Sequence, residues 1–243
     1  IVNDLLDLSK SEADHLYIQK STMNPVREIG DSLLIVQSSA KKKGLAVKTV
    51  YDGPVPESIY SDPTRFRQIL INMLTNAVKY TENGQITVRV SNVERDQKNF
   101  LRVVASDTGI GINEETRKNL FQPFVRGQNR EVQRISGSGL GLALSRSLAR
   151  KMGGDLRLLS PSESGENQGS HFELTVETGP LAGVRLVHSP ESEKSALAAG
   201  ETSEPAPSRL QGQFVLLAED QADLRELMQR YLEKHGAKVA TCV

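Results

Sequence analysis

The stretch from Pro63 to Tyr80 constrains the fold more than any other part of the sequence. Its apolar residues recur every three to four positions, which predicts a helix with one buried side. These residues are Phe66, Ile69, Leu70, Met73, Leu74, Ala77 and Val78. The turn-forming pair Asn83-Gly84 follows and is expected to end the pattern. A helix over residues 63–80 is therefore the first predicted element.

The segments on both sides of this helix show shorter helix and strand patterns. Helices are predicted over residues 25–43 and 140–152, and strands over 45–51, 85–93, 100–106, 155–160 and 170–177. The strands over 85–93 and 100–106 are separated by a polar turn and are expected to pair as a hairpin. Residues 107–139 are polar and punctuated by glycine, and no helix or strand is predicted between them.

Composition excludes several classes of protein. The 30 basic and 30 acidic residues cancel, so the whole chain has no electrostatic attraction to nucleic acid, and no nucleic-acid partner is expected. The single cysteine, Cys242, rules out an internal disulfide framework and fits a reducing compartment. No apolar run approaches the roughly 20 residues that span a bilayer. A cytoplasmic location is expected, with any membrane anchor of the full-length protein upstream of Ile1.

The two ends of the chain differ from its middle, which forms a predicted main domain over residues 19–178. Residues 1–18 carry an amphipathic pattern that is already running at Ile1, and they are interpreted as the end of a longer helix. Residues 179–211 are rich in Ser, Glu, Ala, Pro and Gly and predict a flexible linker. Residues 212–243 begin with an apolar run and continue with a helical pattern, which predicts a buried strand followed by a helix. The chain is therefore expected to be a piece of a longer protein.

One side of the predicted helix 63–80 is polar. Its residues Gln68, Asn72, Asn76 and Lys79 are spaced by four, four and three positions, which places them opposite the apolar stripe. Asparagine is a poor helix former, so two of them inside a helix ask for a reason. A side-chain amide oxygen is a neutral hard ligand suited to Mg²⁺, and a lysine on the same side can reach phosphates that the metal bridges. A solvated polar face is the alternative interpretation.

Asp107 stands at the end of the predicted strand 100–106 and is followed by Gly109 and Gly111. A buried carboxylate in this place can accept a hydrogen bond from the exocyclic amino group of adenine, and it would repel the carbonyl oxygen of guanine. The two glycines let the backbone turn and approach a flat ring. Many loops at strand ends have the same pattern, so an ordinary loop is the alternative.

A second glycine-rich turn, residues 137–142, runs directly into the predicted helix 140–152. Unpaired N–H groups at a helix start can bind an anion, and glycines remove side chains that would block a triphosphate. The turn is not a P-loop, because no G-x-x-x-x-G-K-[ST] is present. A polar loop rather than a strand precedes it, which argues against a dinucleotide fold.

Two aromatic residues, Phe121 and Phe124, lie between the glycine turns and are followed by Arg126. Aromatic residues in a polar segment suit a lid held by two apolar anchors, with Arg126 able to reach a phosphate. An ordinary packed turn with a solvated arginine is the alternative.

The order and spacing of these features resemble those of the catalytic domain of sensor histidine kinases. Residues 72–80 resemble the N box of that family, 107–111 its first glycine box, 121–124 its F box, 137–142 its second glycine box and 169–172 its final glycine element. The resemblance covers roughly residues 20–178. It implies an α/β fold, the two-layer Bergerat sandwich, in which helices cover one face of a mixed sheet and the nucleotide lies between helix and lid.

The same resemblance implies roles for individual residues. Asn76 would bind a Mg²⁺ ion that accompanies ATP, and Asp107 would read adenine. Asn72 and Lys79 would support the phosphates and, with Arg126, take part in catalysis. The other residues implied in nucleotide binding are Tyr80, Gly109, Gly111, Phe124, Gly137, Ser138, Gly139, Leu140 and Gly141.

The flanking segments carry resemblances of their own. Residues 5–13 resemble the second helix of the family's dimerisation and phosphoacceptor hairpin, which implies a homodimeric full-length protein with its acceptor histidine upstream of Ile1. Residues 215–220 resemble the first strand of a response-regulator receiver domain. Glu219 and Asp220 stand in the place of its Mg²⁺-binding acidic pair and are expected to be non-functional in a fragment. The hairpin and a receiver domain are the implied partners.

The implied activity is transfer of the γ-phosphate of ATP to a protein histidine, for relay to a receiver aspartate. His15, His171, His188 and His235 are interpreted as ordinary residues, so this chain alone is not expected to autophosphorylate. One alternative is an ATP-hydrolysing clamp of the gyrase or mismatch-repair type, which activates water with a glutamate on the N-box helix; residues 63–80 contain no glutamate. The other alternative is a module of the same fold that binds ATP without phosphotransfer.

Overall fold

The structure is a computed structural model that describes residues 17–125, 138–160, 169–187, 212–218, 222–234 and 236–242. The chain divides into two compact units, Ile1–Glu193 and Lys194–Val243. No helix among the described residues is long and apolar enough to cross a membrane.

The first unit alternates strands and helices along the chain. Its helices are α1 (Pro25–Lys42), α2 (Pro63–Tyr80), α3 (Glu114–Asn119) and α4 (Gly141–Lys151). Its strands are β1 (Ser21–Met23), β2 (Ala46–Tyr51), β3 (Val55–Pro56), β4 (Ile59–Ser61), β5 (Gln85–Arg95), β6 (Lys98–Asp107), β7 (Asp155–Leu158), β8 (Ser170–Glu177) and β9 (Leu186–Val187).

Five strands form one mixed sheet in the order β2-β5-β6-β8-β7. Strand β2 runs parallel to β5, and the other neighbouring strands are antiparallel. Helix α2 packs against both α1 and α4, and the three helices contact the sheet. Alternate residues of β5, β6 and β8 point into the shared core: Ile86, Val88, Val90, Leu101, Val103, Ala105, Phe172, Leu174 and Val176. This is the predicted two-layer arrangement of a mixed sheet and helices.

Helix α2 has the bounds that the sequence predicts. The side chain of Asp62 caps its start by accepting a hydrogen bond from the backbone N–H of Arg65, at 3.0 Å. Every residue of the predicted apolar stripe is buried. The helix therefore turns its other side, with Asn72 and Asn76, away from the core.

The predicted hairpin is also confirmed. Strands β5 and β6 pair over their whole length, from Ile86 opposite Asp107 to Arg95 opposite Lys98. The connecting residues Asp96 and Gln97 both have positive φ values, 51° and 61°, as a two-residue hairpin turn of this kind requires. The hairpin fixes the position of Asp107, because this residue ends β6 beside the start of β5.

The opposite face of the sheet carries charged residues, among them Glu173, whose carboxylate is ion-paired with Arg102 and Arg157. Glu173 is 1% exposed. Burial by itself would raise the pKa of this carboxyl, but the hydrogen bonds and charges of Arg157 and Arg102 hold the pKa below its ordinary value. Arg102 and Arg157 thus neutralise the carboxylate of Glu173, which lies on the same face of the sheet as the two arginines.

Several short elements were not predicted. Helix α3 lies within residues 107–139, and strands β3 and β4 lie in the segment after Tyr51. Strand β9 lies within residues 179–211, the predicted linker, and pairs with β3 so that Val187 is buried opposite Val55. Ordered structure therefore continues beyond the end of β8.

The second unit contains strand β10 (Phe214–Ala218), helix α5 (Ala222–Lys234) and strand β11 (Lys238–Cys242). The two strands are parallel neighbours, with Leu216 opposite Ala240. A strand followed by a helix is the order that the sequence predicts for residues 212–243. The helix predicted for the chain start, residues 1–16, lies outside the described residues.

Candidate functional site

The polar side of α2 faces α4 through its two asparagines. Asn72 donates a hydrogen bond from Nδ2 to Oγ of Ser145, a buried residue of α4, at 2.9 Å. Asn76 donates from Nδ2 to Oδ1 of Asn72 at 3.4 Å. These bonds leave Oδ1 of Asn76 without a hydrogen bond from the described residues. The structure thus brings the two predicted asparagines together and adds Ser145, which the sequence analysis did not identify.

Gly141, the first residue of α4, lies directly against Asn72. A Cβ atom at this position would stand 2.5 Å from Oδ1 of Asn72, which is closer than non-bonded atoms approach. Only glycine leaves this side chain in place. The second glycine turn therefore meets the polar side of α2 at close range, as a shared site requires.

The other two polar residues of α2 behave differently. Gln68 accepts a hydrogen bond from Nη1 of Arg65 at 2.8 Å, so its side chain is used within the helix. The ammonium nitrogen of Lys79 lies 5.4 Å from the centroid of the Tyr80 ring, within the range of a cation–π interaction. Lys79 and Tyr80 therefore lie side by side at the end of α2, whereas Gln68 is not part of the cluster.

Asp107 is buried, with 4% of its surface exposed. Its Oδ1 accepts hydrogen bonds from the backbone N–H groups of Gly109, at 2.9 Å, and Ser170, at 3.3 Å. Burial raises the pKa of this carboxyl above its ordinary value, although the two hydrogen bonds and the nearby His171 oppose the shift. Oδ2 accepts no hydrogen bond from the described residues. One oxygen is thus fixed by the backbone and the other remains an acceptor.

The loop after Asp107 is joined to the end of α2. The backbone N–H of Ile110 donates to the carbonyl oxygen of Tyr80 at 3.3 Å. A Cβ atom on Gly109 would stand 2.3 Å from the same carbonyl oxygen. Gly109 is therefore required for this close approach, and the loop and the helix end form one surface. Gly111 follows in the same loop and lies beside Gly169.

The two predicted aromatic anchors are not equivalent. Phe121 packs edge-on against Phe172, with 6.5 Å between ring centroids, and the guanidinium of Arg146 lies 4.7 Å from the centroid of the Phe121 ring. Phe124 is 64% exposed and has a positive φ of 65°. The prediction that Phe124 is an apolar anchor is therefore wrong for the described part of the chain, because most of its surface is exposed there.

The backbone of Phe124 nevertheless connects two of the predicted motifs. Its N–H donates to the carbonyl oxygen of Gly139 at 3.0 Å. In the glycine turn, the N–H of Leu140 donates to Oγ of Ser138 at 3.3 Å, and the side chain of Leu140 is buried. Ser138, Gly139 and Leu140 are thus held between Phe124 and the start of α4.

Some predicted site residues lie outside the described residues. They are Arg126, Gly137, Glu219 and Asp220. Within the described part of the chain, no three His, Cys, Asp or Glu side chains come close enough together to hold a metal ion.

A family model described as "Histidine kinase-, DNA gyrase B-, and HSP90-like ATPase" matches residues 61–180. This range contains α2, the loop after Asp107 and the glycine turn before α4. Residues 61–180 belong to this ATPase family.

The relatives of this chain include proteins that are histidine kinases by name, one of them named a hybrid kinase. The chain is 36% identical over 177 residues to hybrid signal transduction histidine kinase F of Dictyostelium discoideum, with 72% of this chain and 16% of that protein covered. It is 35% identical over 199 residues to the signal transduction histidine-protein kinase BarA of Escherichia coli K12, covering 77% and 22%. It is 32% identical over 251 residues to the sensory/regulatory protein RpfC of Xanthomonas campestris, covering 98% and 34%. The chain therefore spans about a third or less of these relatives.

Solved structures of similar fold include histidine kinases. The full-length kinase ShkA, crystallised in complex with AMPPNP, has a TM-score of 0.58 and 24% identity, with all of this chain and 44% of ShkA covered. The catalytic domain of the histidine kinase ThkA has a TM-score of 0.54 and 23% identity, covering 67% of this chain and 99% of that domain. These likenesses support the fold of the ATPase domain.

Proposed function

We propose that this chain is the ATP-binding catalytic part of a hybrid sensor histidine kinase. It transfers the γ-phosphate of ATP to a histidine on a phosphoacceptor hairpin, for relay to an aspartate of a receiver domain. The observation that carries this proposal is the geometry of Asp107. Its Oδ1 is held by the backbone of Gly109 and Ser170, and its loop is bonded to the end of the helix that carries Asn72 and Asn76.

Adenine is the base that this carboxylate fits. Oδ2 of the buried residue Asp107 is an acceptor that has no partner among the described residues, so it can receive a hydrogen bond from the exocyclic amino group of adenine. The carbonyl oxygen of guanine in the same place would meet another acceptor. Gly109, Gly111 and the Tyr80 ring would bound the plane of the base.

The phosphates are proposed to lie between α2 and the start of α4. They would be surrounded by Asn72 and Lys79 on α2 and by the second glycine turn, which is Ser138, Gly139 and Leu140 before α4 and Gly141 as its first residue. By their sequence positions, Arg126 and Gly137 would complete this set. No side chain caps the start of α4, and the N–H groups of a first helical turn have no intrahelical partners, so they could bind the phosphates. Phe124, whose ring is exposed beside Gly139, would lie at the rim.

The donor set also fits a Mg²⁺ ion bound with the nucleotide. Oδ1 of Asn76 is a neutral oxygen, and the N–H···O bond to Asn72 orients it by fixing the other end of the amide. When bound, Mg²⁺ would neutralise charge on the phosphates. Asn72, held by Ser145, would keep Asn76 in this orientation.

The reaction would be an in-line displacement at the γ-phosphorus. An imidazole nitrogen of the acceptor forms the new N–P bond while the bond to the β-phosphate oxygen breaks, so ADP leaves. The protein contributes position and electrostatic stabilisation rather than a covalent intermediate. A homodimer, a cytoplasmic location of this domain and a membrane anchor elsewhere in the full-length protein are parts of the same proposal.

Two other functions fit the fold less well. An ATP-hydrolysing clamp would need a glutamate on α2 to activate water, and α2 contains none. A module that only binds ATP would have less need of the linked pair Asn72–Asn76 beside the glycine turn, because the base pocket supplies much of the affinity.

Calorimetric titration of the 243-residue chain tests the nucleotide part of the proposal. In the presence of Mg²⁺, ATP should bind at least about tenfold more tightly than GTP, which corresponds to about 1.4 kcal/mol. Equal affinity for the two nucleotides would contradict the role of Asp107. Absence of ATP binding would contradict the function itself.

A further inference from the structure

The ammonium group of Lys43 contacts the C-terminal end of α2, although Lys43 itself directly follows the last residue of α1. Its Nζ donates hydrogen bonds to the carbonyl oxygens of Val78 at 2.8 Å, Lys79 at 3.2 Å and Thr81 at 3.1 Å. An ammonium group has three N–H donors, and here each has an acceptor. A lysine on a solvated surface would not be expected to use all three on one backbone segment.

The carbonyl groups of Val78 and Lys79 belong to the last turn of α2, which a helix end leaves without intrahelical partners, and Thr81 directly follows that turn. They also carry the partial negative charge of the helix C-terminus, which attracts a cation. The remaining carbonyl of this segment, that of Tyr80, accepts the hydrogen bond from the N–H of Ile110. The end of α2 is therefore held on one side by Lys43 and on the other by the loop that follows Asp107.

The backbone at Lys43 is itself held by hydrogen bonds, so the side chain starts from a fixed position beside the end of α2. The N–H of Lys43 donates to the carbonyl oxygen of Ala40, and the N–H of Leu45 donates to the same oxygen at 2.9 Å. Leu45 is buried, and the N–H of Ala46 donates to the carbonyl oxygen of Gly84 at 3.1 Å. The end of α1 thus runs beside the segment that leaves α2.

We propose that Lys43 is a positioning residue for nucleotide binding. By holding the last turn of α2, it keeps Lys79, on the phosphate side, aligned with the loop that carries Asp107 and Gly109. This inference rests on the proposed function, because the role of Lys43 is to align the phosphate side of the proposed nucleotide site with its base side. The loop and the helix end are in direct contact, since the N–H of Ile110 donates to the carbonyl oxygen of Tyr80 at 3.3 Å and Gly109 leaves no room there for a side chain.

The test compares three variants of the full chain. Lys43→Met keeps the length of the side chain and removes all donors, Lys43→Arg keeps the charge and donors, and Lys41→Met alters an exposed lysine two residues away as a matched control. Affinities for Mg-ATP and for adenosine are measured by calorimetry at a temperature at which circular dichroism shows each variant folded. Adenosine reports the base side alone, and the gain of ATP over adenosine reports the phosphate side.

Lys43→Met should weaken Mg-ATP binding about tenfold and adenosine binding less than about threefold, because a displaced helix end moves Lys79 more than Asp107. Lys43→Arg should restore most of the Mg-ATP affinity, and Lys41→Met should match the unaltered chain. Equal Mg-ATP affinity of Lys43→Met and Lys41→Met would overturn the proposal, and so would equal losses for ATP and adenosine, which indicate only a less stable domain.

If Lys43→Met does not fold, Lys43→Gln takes its place under the same criteria, because its shorter amide still cannot reach three carbonyls. Failure of the unaltered chain to bind Mg-ATP would instead refute the proposed function. The two failures are therefore distinguishable in one set of titrations.

Discussion

The side chains of Asn72 and Ser145 are joined by a 2.9 Å hydrogen bond although 73 residues separate them in sequence. This bond ties α2 to α4, and Gly141 allows the close contact at the same point. The two motifs that the sequence shows far apart are thereby one structural unit. The orientation of Asn76 depends on it, because Asn76 is bonded in turn to Asn72.

Ser145→Ala should therefore lower the free energy of unfolding by about 1–2 kcal/mol, the cost of leaving Nδ2 of Asn72 without its buried partner. Urea denaturation measures this change. Ser38→Ala, at an exposed position of α1, is the matched control and should change the free energy by less than about 0.5 kcal/mol. Equal effects of the two substitutions would show that the Asn72–Ser145 bond does not stabilise the pairing of α2 and α4.

Asp107→Asn should weaken Mg-ATP binding at least about tenfold and reduce the preference for ATP over GTP. The amide can still accept the bonds from Gly109 and Ser170 with its oxygen, so the fold should persist. Its NH₂ group then faces the amino group of adenine, whereas it can donate to the carbonyl of guanine. Calorimetry with both nucleotides measures the change, with Asp31→Asn on α1 as the control. An unchanged ratio of the two affinities would remove Asp107 as the reader of the base.

Asn76→Ala should slow phosphotransfer by more than about a hundredfold while weakening ATP binding by less than about tenfold, because a metal ligand acts mainly on the γ-phosphate. Thr75→Ala alters the neighbouring exposed residue and is the control. Initial rates of transfer and calorimetric affinities provide the two numbers. A wild-type transfer rate for Asn76→Ala would refute its assignment as the Mg²⁺ ligand.

Glu173 should make the stability of the domain depend on pH in the acid range. The pKa of its carboxyl is 4.5 ordinarily and is lower in the folded state, where Arg157 and Arg102 outweigh burial. Its contribution is therefore present above about pH 4.5 and is lost as the pH falls through the lowered pKa. Glu173→Gln should cost about 1–3 kcal/mol at pH 7 and less as the solution is acidified.

Urea denaturation at several pH values between about 3 and 7 tests this expectation for Glu173→Gln. Glu82→Gln, at an exposed position after α2, is the control and should follow the unaltered chain. A constant difference between Glu173→Gln and the unaltered chain over this range would show that the ion pairs with Arg102 and Arg157 do not stabilise the fold.

The parts of the fold that the sequence predicts are those with a local signal. Helix α2 has an apolar stripe, a capping aspartate at Asp62 and a terminating Asn83-Gly84, so its bounds follow from neighbouring residues. Helix α3 is six residues long and buries none of them, so no apolar period marks it. Strand β9 has two residues and depends on β3, which lies far away in the sequence.

The site divides in the same way. Asn72, Asn76 and Asp107 stand out by residue type and spacing, and the structure brings the first two together. Ser145 has no such signal, because a serine inside a helix is common and only the packing of α2 against α4 gives it a partner. Phe124 gave the wrong signal: an aromatic residue suggests burial, but whether a core lies within reach of its ring is decided by tertiary structure.

Transfer of phosphate to a protein histidine is the most direct test of the proposed kinase activity. The chain is incubated with Mg²⁺ and γ-labelled ATP, together with a separate helical hairpin that carries an acceptor histidine. Asn76→Ala in parallel shows whether any label depends on the site, and free phosphate is measured in the same samples. A histidine kinase should leave acid-labile, alkali-stable label on the hairpin and none with Asn76→Ala. Release of free phosphate without label on the hairpin would contradict it in favour of ATP hydrolysis, and bound ATP with neither product would contradict it in favour of a module that only binds.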